Sequence, residues 1–163
     1  MFTVPEKIIY ALPEQIGNTE LFVGRKKEFD YFLGDWYDYL VNNMAQSQAI
    51  VARRKKGKTA FLQRLFNILW SCPETGVIPF YYVIQDKPVT LSGFAEDFFT
   101  QFMWQYLSFR DRKEEYLSYP IGFEKLAPLV EGDKHLTDAY ETMAIKKKED
   151  DWDGMWNTAS RLP

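Results

Sequence analysis

The stretch that decides the reading of this chain is Val51-Ala52-Arg53-Arg54-Lys55-Lys56-Gly57-Lys58-Thr59-Ala60-Phe61. It leaves an apolar run, passes through four consecutive cations and enters Gly-Lys-Thr, where a helix-like apolar pattern begins. Two readings compete: a loop that cradles phosphate, or a solvated basic turn.

Residues 52–59 match the pattern G-x-x-x-x-G-K-[ST] except at the first position, where Ala52 replaces glycine. Each position has a physical purpose. Backbone N–H groups of the loop and of the first helical turn, from Lys55 and Lys56 to Ala60, converge on phosphate oxygens. Gly57 brings the backbone close without a Cβ, Lys58 places a charge on the terminal phosphates, and the Thr59 hydroxyl is the Mg²⁺ ligand. Ala52 is tolerated wherever φ stays negative. A chance GK[ST] arises in roughly one chain in ten of this length, so the context carries the argument. An apolar segment precedes the loop and an apolar helix follows it. The basic run Arg53–Lys58 also admits a nucleic-acid patch, but no basic helix or aromatic-basic interleaving extends it.

Bulk properties bound the rest. The 163 residues are 46% hydrophobic and 17% aromatic, which predicts a packed core and not a disordered chain. A net charge of −3 gives no global field for nucleic acid, so any basic site is local. Cys72 is the only cysteine, which excludes an intrachain disulfide; with His135 the only histidine there is no credible zinc set, and no Ser-His-Asp or Cys-His arrangement can be defended. No signal peptide or membrane-length apolar run is present, and a cytoplasmic location is expected.

Along the chain, residues 1–24 carry Pro5, Pro13, Gly17 and Gly24 and read as an extended lead-in. Phe29, Phe32, Leu33, Trp36, Tyr37 and Leu40 recur at helical spacing over 25–43. Residues 48–52 suit a buried strand, 58–70 a buried helix and 77–85 a second strand. Thr90 or Ser92 caps a long helix whose stripe runs through Phe94, Phe98, Phe102 and Tyr106. Two weaker helices follow at 134–147 and 151–160. Strands alternating with helices predict an α/β fold with βαβ units and a partial parallel sheet.

The segments ELFVGRKKEFDYFL (20–33), AIVARRKKGKTAFLQRLFN (49–67), VIPFYYVIQDK (77–87) and FAEDFFTQFMWQYLSFRDRK (94–113) together resemble prokaryotic AAA-like and STAND-type P-loop ATPases. The resemblance implies a Walker A loop at 52–59 binding ATP and Mg²⁺, with the base near Phe22, Val23, Gly24 and Arg25. Without it, Phe22 and Val23 read as a hydrophobic staple leading into the 25–43 helix. It also implies three regions: a lead-in at 1–24, the first half of a nucleotide-binding domain at 25–113, and a helical extension at 114–163. The family's acidic Walker B strand is missing. The run FYYVIQD ends at Asp86, but Gln85 interrupts it, and the acids of KKKEDD (146–151) follow no apolar strand.

The expected chain therefore binds nucleotide, stops before its catalytic acid at Arg161-Leu162-Pro163, has no assignable catalytic residue and does not hydrolyse ATP alone. Its partners would be nucleotide, a second copy or a missing C-terminal half, with no membrane and no nucleic acid. The alternatives are a non-hydrolysing interaction or scaffold module with a vestigial phosphate loop, or nucleic-acid binding through residues 53–58.

Overall fold

A computed structural model of the chain describes residues 2–16, 18–19, 22–44, 47–84, 86, 89–118 and 122–162. Gly17, Glu20, Leu21, Gln85, Lys87 and Pro163, all named above, lie outside the described residues. The chain divides into two units, residues 1–81 and 82–163.

The first unit holds α1 (Lys26–Leu33), α2 (Asp35–Val41) and α3 (Lys58–Trp70). The single helix expected over 25–43 is broken at Gly34 (φ −104°, ψ −102°). A Cβ there would lie 2.5 Å from the Asp30 carbonyl oxygen, so the break depends on glycine. Leu33 and Tyr37 flank it and pack with Leu65, Ile68 and Leu69 of α3, with Phe29 and Phe32 against the same cluster.

Helix α3 is buried along most of its length, as its apolar residues on several sides predict, but its polar residues are buried too. They tether the lead-in. Ser71 Oγ accepts from the Ile9 N–H, Asn67 Oδ1 from the Leu12 N–H, and Gln63 Oε1 from the Gln15 N–H, each at 2.8 Å. Positions 63, 67 and 71 repeat every four residues, so one helical row satisfies a segment that has no regular structure of its own.

The second unit is built on α4 (Leu91–Asp111), with α5 (Glu115–Ser118), α6 (Ala127–Val130), α7 (Lys134–Lys148) and α8 (Trp152–Ser160). Thr90 caps α4 by accepting from the Gly93 N–H, as its residue type and position predict. Ala95, Phe99, Met103 and Leu107 repeat every four residues on α4 and are fully buried against Phe123, Leu126, Val130, Met143, Met155 and Ala159. Asp133 and Asp151 cap α7 and α8 by accepting backbone N–H groups.

The α/β class, with its βαβ core and partial parallel sheet, is overturned. Among the described residues there is no strand. Residues 48–52 and 77–84 are irregular, and Val51 (92%) and Ile84 (78%) are exposed, not buried in a sheet. β-branched composition favours a strand only where a neighbouring strand completes the hydrogen-bond ladder and a packed face covers the side chains. Here the apolar stripes of the helices cover one another instead.

Candidate anion-binding loop

The loop between residue 52 and α3 lies within the first unit and is closed by two side chains. Lys58, the first residue of α3, donates from Nζ to the Ala52 carbonyl at 2.7 Å, tying the two ends of the loop. Arg25 reaches the same loop from 31 residues upstream, where its Nη2 donates to the Lys56 carbonyl. Its Nη1 pairs with Glu28 Oε1 at 2.7 Å. That hydrogen bond, with one from the Glu28 backbone N–H, holds the Glu28 carboxyl below its ordinary range.

The backbone turns through left-handed conformations at Lys55 (φ 62°) and Gly57 (φ 73°). Gly57 is the N-cap of α3, and no side chain caps the helix, so the first N–H groups of α3 are not taken by a capping side chain. Arg53, Arg54, Lys55 and Lys56 are all exposed, and none has a carboxylate within ion-pair distance among the described residues. Thr59 is exposed, while Ala60 is buried in the core under the loop. Four unneutralised cations beside an uncapped helix N-terminus make a local positive field in an acidic chain.

The segment expected to touch a purine is split. Arg25 joins the loop. Phe22 does not offer an open face: its ring lies 5.7 Å from Phe29, and the Arg64 guanidinium sits 4.6 Å from its centroid. That packing is the part a staple plays. Val23 is 84% exposed, and Gly24 (φ 80°) serves the turn into α1.

Sequence reasoning missed the polar centre beneath. Arg64 forms a two-point pair with Glu14, Nε to Oε1 at 2.7 Å and Nη2 to Oε2 at 2.9 Å, and Nη2 also donates to the Thr19 carbonyl. Asn67 Nδ2 reaches Glu14 Oε1 at 3.1 Å, and the Glu14 side chain is 0% exposed. The signal of this centre in the sequence is Gln63, Arg64 and Asn67, three polar residues inside the largely apolar run 60–70.

Elsewhere, the described residues contain no group of three or more His, Cys, Asp or Glu side chains placed to hold a metal. His135 is exposed near the start of α7, and Cys72 is buried and in no disulfide. Among the described residues, no helix is long and apolar enough to cross a membrane.

No protein-family model matches the chain, and comparison with curated proteins and with solved structures returns no match. The resemblance to AAA-like and STAND-type ATPases is therefore corrected on two grounds. No family model carries it, and the parallel sheet that positions a Walker A loop in such enzymes is absent among the described residues. The nucleotide-binding ATPase function and its vestigial-loop alternative rested on that resemblance and the motif and fall with it; the nucleic-acid alternative, which rested on the basic run 53–58, has no family or homologue support.

Proposed function

We propose that the loop of residues 53–60 captures a small oxyanion, of the phosphate or polyphosphate class, on a helical protein. The observation that carries the reading is the run Arg53–Lys56, exposed and without carboxylate partners among the described residues, beside the uncapped N-terminus of α3. Burial of Ala60 and the Lys58–Ala52 hydrogen bond hold the loop in place, so its backbone need not be ordered on binding. The reading concerns binding and involves no hydrolysis.

Thermal unfolding of the chain at low ionic strength, with and without millimolar inorganic triphosphate, tests it. A ligand at about 100 times its dissociation constant adds roughly 2.7 kcal/mol, which raises Tm by about 5–10 °C for a chain of this size. The rise should shrink steeply with salt and vanish in the variant Arg53→Ala/Arg54→Ala/Lys55→Ala/Lys56→Ala. ATP with and without Mg²⁺ forms a parallel arm: equal shifts from triphosphate and ATP mean that only the phosphates are held. An unchanged Tm with triphosphate in the folded wild type overturns the reading.

A further inference from the structure

A cavity of about 530 Å³ opens in the second unit at the N-terminal end of α4. Its walls are mostly apolar: Ile84, Val89 and Leu91, with the rings of Tyr82 and Phe94. The one ionisable carboxylate in the lining is Asp97, two turns into α4. Its Oδ2 accepts from the Tyr82 hydroxyl at 2.8 Å and from Gln101 Nε2 at 3.0 Å. Its Oδ1 accepts no hydrogen bond from any described residue. Both groups on Oδ2 are neutral donors, so the charge of Asp97 is oriented but not neutralised.

Ile84, Val89 and Leu91 are 78%, 49% and 46% exposed, a concentration of large apolar side chains around a single oriented anion. The volume falls within the range of small-molecule sites, which pair apolar walls with a few fixed polar groups. Asp97 is exposed, so a neutral apolar ligand leaves its charge to water and gains nothing from it, whereas an anionic one would be repelled by it. We propose that this cavity binds a protonated organic amine on an apolar body, with the ammonium on Asp97 Oδ1 and the body against Ile84, Val89 and Leu91.

The Tyr82–Phe94 ring pair, 5.8 Å apart and near perpendicular, stiffens the wall beside the carboxylate. Burial, and then the hydrogen bond to Asp97, push the Tyr82 phenol up to about 12, so it remains a donor at neutral pH and cannot itself serve as the anion. The proposal is independent of the basic loop: it needs no cation from that loop and takes a ligand of opposite charge.

Calorimetric titration of the whole chain with phenethylamine and with its neutral counterpart phenethyl alcohol tests it. The wild type should bind the amine saturably and the alcohol at least about tenfold more weakly, the margin of a charge-assisted hydrogen bond. Asp97→Asn, at an exposed position, should erase that difference, and Leu91→Ala should weaken both ligands together. Absence of saturable amine binding to the wild type, equal affinity for amine and alcohol, or an unchanged ratio in Asp97→Asn overturns it. The amine-to-alcohol comparison on the wild type decides the matter even where a variant misfolds.

Discussion

The ammonium of Lys58 donates to the carbonyl of Ala52 at 2.7 Å, so the first residue of α3 closes the basic loop that precedes it. Lys58 is thus committed to the loop backbone, while Arg53–Lys56 project into solvent. Its substitution should register twice. Lys58→Met should cost about 1 kcal/mol in urea unfolding without ligand, the worth of one hydrogen bond from a charged donor at a partly buried position. It should also lower triphosphate affinity by opening the loop. Equal stability and equal affinity in variant and wild type would remove Lys58 from both roles.

Gly57 and Gly34 predict different responses to the same change. At Gly57 a Cβ meets nothing within 4 Å, but φ is 73°, so Gly57→Ala should cost about 1–2 kcal/mol through backbone strain alone. Gly57→Asn should recover part of it, since asparagine tolerates the left-handed region. At Gly34 the backbone conformation is not left-handed, but the Asp30 carbonyl blocks a Cβ at 2.5 Å. Gly34→Ala should cost about 1–3 kcal/mol, and Gly34→Asn should recover none of it. Chemical denaturation of the four variants separates strain from collision.

Glu14 and Arg64 form a buried pair whose partners are nearly all accounted for. Glu14→Ala leaves the guanidinium facing a vacated acceptor site and should destabilise the chain by about 3–5 kcal/mol. Replacing both, as Glu14→Leu with Arg64→Met, should restore much of that loss, because two apolar side chains need no partners. A double-mutant cycle by urea unfolding measures the coupling. Near-additive losses would show that the pair is not coupled.

Asp151 supplies a pH dependence of defined sign. The Gly154 N–H donates to its carboxylate, and then the Lys146 ammonium lies 3.0 Å away, so its folded pKa is held below the ordinary carboxylate value. A depressed folded pKa stabilises above the unfolded value and is lost as pH falls through the folded one. The Tm gap between wild type and Asp151→Ala should therefore be full above about pH 4–5 and close as the solution is made more acid. A gap that stays constant down to pH 2 would mean that the carboxylate charge contributes nothing to the cap.

Gly154 itself looks like a helix glycine that alanine would improve by about 1 kcal/mol. A Cβ there would lie 2.3 Å from Asp151 Oδ2 and 2.7 Å from Lys146 Cδ, so it displaces the cap. Gly154→Ala should therefore give no gain in Tm. A rise of several degrees would show that the cap relocates without loss.

The sequence by itself determined four of the helices and the place of the loop. Helices α3, α4, α7 and α8 follow apolar spacing and local caps such as Thr90 and Asp151, and these interactions span no more than four residues. The basic run was legible for the same reason: four adjacent cations need no tertiary context to be seen. Only the tertiary structure decided what required distant partners. Arg25 on the Lys56 carbonyl spans 31 residues, and Glu14 on Arg64 spans 50. Residues 48–52 and 77–84 carry strand composition, yet they form no strand among the described residues. A helix closes its hydrogen bonds within its own segment, whereas a strand borrows them from another, and no local pattern can say whether the lender is there.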